Sequence, residues 1–380
     1  MGNRLSVHFY NSPILYETRI VKQAKRLLEL GITEEVIIFG TKDGALPTEE
    51  YLTDSILIRR FRVPFIIKHY VTDLIRLFVF SIKGYRAAIR LPIQYITVHS
   101  VWLLPLGSLL KRKKKCILVY DAQELETEKA GFSSLVKWLT RIIERRFIVH
   151  VDSALTTTES IQDWYCRKYK NKPVYLLRNI PEDINESTEK SSYFRDHFFI
   201  PPSSLVFVYH GMISRGRGVE LLISCFQKLG SGYHLILMGY GPLKSNAVAA
   251  SIAHDNIHFH EPVPVNELQT YLSGGDAGIF PLEHVSLSYY LCLPNKIFEF
   301  LFAGLPVITS DFPEISKVIH QTRSGWLLKP KEEALHHLLK GLTATDLQKR
   351  KPVVSDLSRK YNWKQESICL YDAFKKKMKD

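Results

Sequence analysis

Short apolar runs alternate with longer amphipathic stretches through most of this chain. Runs of strand length read Leu5–Tyr10, Glu35–Phe39, Ile56–Arg59, Tyr95–His99, Cys116–Tyr120, Ala154–Thr157 and Val174–Leu177. Helical periods fall between them, as at Thr18–Leu30 and Phe132–His150. The segment 179–204 breaks the rhythm, being polar and carrying Pro181, Pro201 and Pro202. The pattern then restarts with strands at Leu205–His210, Tyr233–Met238, Ile257–Phe259, Ala277–Phe280 and Pro306–Thr309. Helices are predicted at Val219–Leu229, Pro242–Ala253, Asn266–Leu272 and Asn295–Phe302. Such alternation builds βαβ units around parallel sheets. It predicts an α/β protein of two doubly wound, Rossmann-like domains facing a cleft. The first domain would cover 1–180, a linker 181–204 and the second domain 205–360, leaving a C-terminal helix at 361–380 free to return to the first. Ligands of such sheets bind beyond the carboxyl ends of the strands.

With 380 residues, 46% of them hydrophobic, the chain can bury two sizeable cores. Its five cysteines are scattered and form no CxxC pair, which argues against a disulfide framework or zinc site and for a reducing compartment. The N-terminal run from Arg4 to Tyr10 reads as a strand rather than the core of a signal peptide. The opening residues Met1 to Ser6 fit the loose myristoylation pattern, which is read as a chance match. The sequon Asn185-Glu186-Ser187 carries no weight in a cytosolic protein. The greasiest stretch, Val71–Ile82, is broken by Asp73 and Arg76 and falls short of the ~20 residues a membrane span needs. The expected location is cytoplasmic, either free or peripheral on the inner face of the cell membrane.

Charge changes the picture more than composition does. The net charge is +13, of which +12 lies within residues 1–180. The run Arg59–Tyr70 interleaves cations with aromatic and aliphatic residues, and Lys83, Arg86, Arg90 and Lys111–Lys115 continue the positive series. This pattern suits docking on anionic lipid, and equally a solvated basic face above an ordinary core helix. The basic runs form no recognisable nucleic-acid module, so no nucleic-acid partner is expected.

Candidate chemistry concentrates in the second half. Between a strand ending near Gly211 and a helix starting near Gly218 lies a loop with Arg215, Gly216 and Arg217. Glycines allow close backbone approach to a phosphate, a helix N-terminus offers free N–H groups, and arginine bonds phosphate oxygens strongly. A plain strand–helix turn with solvated arginines is the alternative. Gly239-Tyr240-Gly241-Pro242 repeats the design, either under a bound nucleotide or as a tight turn. The strongest motif runs from Leu293 to Asp311. Pro294 and Asn295 start a helix, and Gly304 and Pro306 stop it. Lys296 and Glu299 share one helix face, and Glu299 stands between Phe298 and Phe300. A carboxylate in such a run needs a partner, which ribose hydroxyls would supply, while Lys296 could reach a diphosphate. The alternative is an intrahelical Lys–Glu pair on a solvated face.

At these residues the chain resembles retaining glycosyltransferases of the GT-B fold, in the large group called family 4. It looks closest to the branch whose signature reads PNK-(Leu/Ile)-FE-(Tyr/Phe)…GLPV, matched by residues 294–307. The resemblance implies that Glu299 binds the donor ribose, that Arg217 binds the diphosphate, and that the segment Glu261-Pro262-Val263-Pro264 lies against the base. It counts Leu291 and Asn295 among the residues that bind the nucleotide-sugar, Leu291 standing where the family has a sugar-contacting glutamate. The run Asp276–Pro281 resembles a further motif of the family. In the first half, Tyr120-Asp121-Ala122-Gln123-Glu124-Leu125 looks like a YDAHEL segment on the acceptor side, and His99 like a strand-end histidine. His99, Gln123 and Glu124 are therefore the implied catalytic candidates. The loop and helix from Ser12 through Arg19 and Gln23 look like one that faces the donor diphosphate, and Ser153–Ser160 and Arg178–Pro181 also resemble family segments.

The implied reaction moves a sugar from a UDP- or GDP-sugar to an acceptor hydroxyl with retention, the acceptor being a glycan or lipid-linked glycan of cell-surface polysaccharide synthesis. Fixed cations would take the place of a metal. No DxD pair is present, His254, His258 and His260 lack ligand spacing, and no cofactor beyond the donor is expected. The chain departs from the family pattern at Leu291, where a glutamate usually stands, at Met212, usually basic, and at Gln123, usually histidine. These departures leave open a donor-binding scaffold that has lost activity.

Overall fold

The computed structural model describes residues 4–15, 17–64, 70–182 and 189–375. Met1–Asn3, the 65–69 part of the basic–aromatic run and the sequon at 185–187 lie outside the described residues. Two parallel sheets account for the fold. The first holds β1 (Leu5–Phe9), β2 (Glu35–Thr41), β3 (Glu49–Thr53), β4 (Ile56–Phe61), β5 (Ile93–Val98), β6 (Ile117–Ala122), β7 (Ser153–Thr156) and β8 (Val174–Leu176). Their spatial order is β3-β4-β2-β1-β5-β6-β7-β8, with only the β3–β4 pair antiparallel. The second holds β9 (Leu205–Met212), β10 (Tyr233–Tyr240), β11 (Ile257–His260), β12 (Ala277–Phe280), β13 (Val307–Ser310) and β14 (Gly325–Leu328), in the order β11-β10-β9-β12-β13-β14.

Two strands escaped the pattern reading. β3 is an edge strand of sequence Glu-Glu-Tyr-Leu-Thr, almost wholly exposed, and charge on an edge is a common guard against unwanted pairing. β14 is only Gly-Trp-Leu-Leu, too short to alternate visibly.

Strand order reverses between β1 and β5 in the first sheet and between β9 and β12 in the second. These are the switch points at which doubly wound sheets open toward ligands. Right-handed crossovers place the Thr18–Glu29 helix on one face of the first sheet. The Tyr70–Ala88, Leu104–Lys114 and Ser134–Phe147 helices lie on the other, with the middle helix packed against both neighbours. Ser133 and Thr158 cap two of the first unit's helices by accepting the N–H of Val136 and Ile161.

The chain divides into two compact units, one holding residues up to Arg178 and again from Lys364, the other Asn179–Trp363. The segment expected as a linker at 181–204 contributes structure to the second unit. Its Tyr193–His197 helix buries Phe194 in that unit's core, and Arg195 donates to Asp276 at 2.7 Å. A single buried aromatic in a polar stretch gives too little periodicity to read. The Cys369–Phe374 helix packs across β6, β7 and β8 of the first unit, where Ser153 Oγ donates to the Ala373 carbonyl at 2.6 Å.

In the second core, Gly278 of β12 lies flat beneath the ring of Phe300, and a methyl group there would overlap that ring. Gly278→Ala should therefore lower stability by about 1–3 kcal/mol, read as a reduced urea midpoint at unchanged slope.

Candidate functional site

The carboxyl ends of β9 and β10 form the floor of the candidate site. Gly211 and Gly239 are paired across these strands, and a side-chain carbon on Gly239 would run into the Gly211 backbone. Gly211 itself has φ of 92°, in the region open mainly to glycine. A Cβ at 211 would sit 2.5 Å from the amine of Lys296, so the missing side chain is what admits that amine. Lys296 reaches there from the second position of the Asn295–Phe302 helix, which Pro294 starts with an extended N-cap. The amine lies 5.4 Å from the Phe280 ring.

Burial, and then Arg217, lower the Lys296 pKa against the opposing effect of Glu299, bringing it to about 8. Holding the proton against that shift costs on the order of 3 kcal/mol. Arg217 lies with its guanidinium 5.7 Å from the Tyr289 ring, and its Nε is buried without a hydrogen-bond partner among the described residues. Glu299 Oε2 stands 3.2 Å from Nε2 of His210, the residue before Gly211. Burial, then Lys296, holds His210 well below the usual histidine range, so it is neutral. Lys296, whose amine is drawn out of water, thus shares this floor with Arg217, whose Nε is buried, and with the Glu299 carboxylate.

Not every expected member joins this group. Arg215 projects into solvent with 89% of its side chain exposed, 3.7 Å from Glu220, so the second cation beside Arg217 is Lys296. The N–H of Gly218, expected free at the helix start, points to Glu283 Oε1 at 3.3 Å. Gly218 has φ of 79° and packs under the Pro281 carbonyl, which brings the 281–286 segment against the loop. Gly241 ends the turn after β10, beside the Ile213 backbone. Val263 follows β11 and packs on the second core, Leu291 is half-buried, and Asn295 is the first residue of its helix. His258 bonds His234 and stacks on Phe198, and among the described residues no group of His, Cys, Asp and Glu could hold a metal.

The first unit also gathers polar groups at its switch point, but it seals them in. His99 is 1% exposed, so it presents no face to a substrate as the sequence had suggested. Its Nδ1 lies 2.9 Å from Asp121 and its Nε2 3.0 Å from Nδ1 of His8. Arg19, expected to face a diphosphate, is turned inward, donating to Asp121 at 2.7 Å and to the Leu177 carbonyl at 2.8 Å. Gln23 donates to Asp121 at 2.8 Å. Burial would raise the Asp121 pKa, but Arg19 and the His99 bond outweigh it and hold the carboxyl well below the usual range. The ionised Asp121 accepts the Nδ1–H of His99. Nε2 of His8 is buried with no partner among the described residues. His8 is held well below the usual range by burial and then by His99.

Gln123 and Glu124 are half-buried beside this cluster, with the Gln123 amide 3.4 Å from His99 Nδ1. The next acidic residue, Glu126, is buried and pairs with Lys129 at 2.7 Å. The described part of the basic run near 60 spends its charge locally. Arg59 pairs with Glu49, buried Arg60 with Glu50 and the Pro13 carbonyl, and Lys83 with the Arg62 carbonyl.

Sequence reasoning missed His210 and His8 as members of these clusters, and it read Arg19 and Asp121 as facing ligands rather than each other. Each is a polar residue in a strand end or helix that reads as apolar scaffold. The one available signal is a charged or imidazole side chain at an inward strand position, which has to find a partner.

Residues 204–344 match the family model described as "Glycosyl transferases group 1". No curated protein matches the chain. Among solved structures, the chain is similar to sucrose-phosphate synthase from Thermosynechococcus elongatus at 15% identity and a TM-score of 0.76, covering 98% of each chain. It is similar to HepE of Anabaena in complex with UDP and glucose at 12% identity and 0.72, covering 98% and 99%. A third is an α,α-trehalose 6-phosphate synthase from Burkholderia multivorans at 11% identity and 0.67, covering 98% and 96%. Likeness at such identity speaks to fold: two Rossmann-like units of the GT-B class.

Replacing Asp121 by Asn strands the Arg19 charge in the core and should cost about 3–5 kcal/mol in urea unfolding. The folded pKa lies below the unfolded one, so this contribution is present above the ordinary carboxylate range and fades as pH falls through the folded value. The deficit of the variant should shrink in strong acid.

Proposed function

We propose that this protein is a glycosyltransferase that takes its sugar from a nucleoside diphosphate sugar held by the second unit. The observation that carries the reading is the under-compensated positive charge at the end of β9. Lys296 keeps its proton at a cost, and Arg217 has a buried Nε without a partner. A diphosphate offers the missing charge, and each charge-assisted bond to it is worth about 1.5–3 kcal/mol, enough to offset the strain on Lys296. The match of residues 204–344 to a glycosyltransferase family model supports the same reading, as do solved relatives in fold whose crystals hold UDP and glucose.

In this proposal Lys296 and Arg217 meet the diphosphate, and Glu299 accepts the ribose hydroxyls beside neutral His210. The glycines at 211, 218, 239 and 241 keep the floor low, Val263 lies along the base, and Leu291 and Asn295 flank the sugar. As the bond to the sugar breaks, negative charge grows on the leaving diphosphate, and cations already fixed there stabilise it without reorganisation. They serve in place of a metal ion. The donor is a UDP- or GDP-sugar, and the acceptor a glycan or lipid-linked glycan met at the cytoplasmic face of a membrane. Transfer proceeds with retention. Gln123 and Glu124 of the first unit contact the acceptor, with His99 acting from behind them as a positioning residue. A scaffold that binds donor without transferring it is the second reading, favoured by uncharged Met212 and by the enclosure of His99. Transfer assayed with purified protein separates the two.

A thermal-shift panel of UDP-, GDP- and CMP-sugars should show stabilisation by a UDP- or GDP-sugar, about 2.7 kcal/mol at a hundredfold excess over Kd. Glu299→Ala should abolish it, and a shift that survives would place the donor elsewhere. Donor affinity should fall by up to about tenfold per pH unit above pH 8 as Lys296 deprotonates, with the pH dependence lost in Lys296→Met when followed by calorimetry.

A further inference from the structure

The Ser134–Phe147 helix of the first unit is amphipathic in the wrong sense for a helix facing water. Its buried residues are Thr140 and Glu144, both polar. Its outward side carries Leu135, Trp138 and Ile142, and Val149 extends the line just beyond its end. The spacing of three, four and seven puts all four on one stripe. Leu135 is 71% exposed and Trp138 58%.

The inward side is fully engaged. Glu144 accepts hydrogen bonds from Tyr165 at 2.6 Å, Tyr169 at 2.8 Å and Lys168 at 3.1 Å, which makes burial of its carboxylate tolerable. The outward stripe is therefore not a helix turned the wrong way round but a surface left apolar while the polar side is anchored inside.

The stripe does not stand alone. On the Tyr70–Ala88 helix of the same layer, Leu74, Phe78 and Ile82 recur every four residues and are exposed, and Leu109 is exposed on the helix between. Large apolar side chains on neighbouring helices of one face mark an interaction surface. Cations rim it. Arg141, Arg145 and Arg146 lie on the same helix, and exposed Arg112, Lys113 and Lys115 lie near the end of the neighbouring one. Burial, and then Arg112, Arg146, Lys111 and Lys172, hold the His150 pKa below its ordinary value.

We infer that this face docks on a lipid bilayer rich in anionic headgroups, with Leu135, Trp138 and Ile142 entering the interface and the arginine and lysine rim meeting lipid phosphates. Charge complementarity selects this occupant over a second copy of the chain, whose identical face would set cation against cation. An apolar stripe with an indole at its centre and cations along its borders is the surface expected of a monotopic contact. Among the described residues no helix is long and apolar enough to cross a membrane, so the contact lies in the interface plane. The inference does not depend on the donor site, and donor binding in solution should be unaffected by changes to this face.

Cosedimentation with vesicles of phosphatidylglycerol and phosphatidylcholine, against phosphatidylcholine alone, tests it. The protein should pellet with the anionic vesicles and be released by added salt. The triple variant Leu135→Ser, Trp138→Ser, Ile142→Ser and, separately, the pair Arg145→Glu, Arg146→Glu should each bind roughly tenfold or more weakly. Both sets are at exposed positions, and circular dichroism and an unchanged Tm verify folding. Quenching of tryptophan fluorescence by brominated lipid should diminish in Trp138→Phe. No binding by the unchanged protein, equal binding to both vesicle types, or variants that bind like the parent would overturn the inference. So would a concentration-dependent dimer that the triple variant abolishes.

Discussion

A positive charge stripped of water sets the terms for the second unit. Water solvates an ammonium ion so well that a protein rarely buries one without a full complement of acceptors. Here the Lys296 amine sits over the Gly211 backbone, with one carboxylate nearby and a second cation pressing on it. Much of the surrounding architecture keeps that placement possible. Glycines at the ends of β9 and β10 clear the space, Phe280 supplies a ring face, and the helix from Asn295 delivers Lys296 and Glu299 one turn apart.

The first unit treats charge in the opposite manner. Asp121 is surrounded by donors from Arg19, Gln23 and His99, Glu144 by three tyrosines and a lysine, and Glu126 is met by Lys129. Its buried carboxylates are each met by partners, and such networks hold a core in one arrangement. Its surplus of cations stands outside, around apolar side chains. One unit keeps its charge imbalance within and the other displays it, which suits them to the two different classes of anion proposed above.

The α/β class and the strand–helix order were legible because parallel strands buried on both faces leave unbroken apolar runs, such as Val206–Tyr209 and Leu235–Met238. The placement of Lys296 and Glu299 one turn apart on one helix was legible from helix spacing. What stayed hidden was direction. Arg215 and Arg217 are two residues apart in one loop, yet one reaches solvent and the other turns under Tyr289, which nothing in the local sequence decides. Arg19 and Asp121 are separated by a hundred residues and meet only because β1 and β6 lie in one sheet. The outward apolar stripe was equally hidden, since a period of three and four announces a helix but not which side of it meets the core.

The helix at Cys369–Phe374 has a consequence for how the molecule comes into being. It covers β6, β7 and β8, strands completed some two hundred residues earlier in the chain. As the polypeptide leaves the ribosome, the sheet that begins it must wait, partly uncovered, until the whole of the second unit has been made. The second unit, by contrast, is one uninterrupted stretch and can mature as soon as it emerges. Between the two units, birth order and completion order are thus reversed: the one whose strands emerge earlier is finished later.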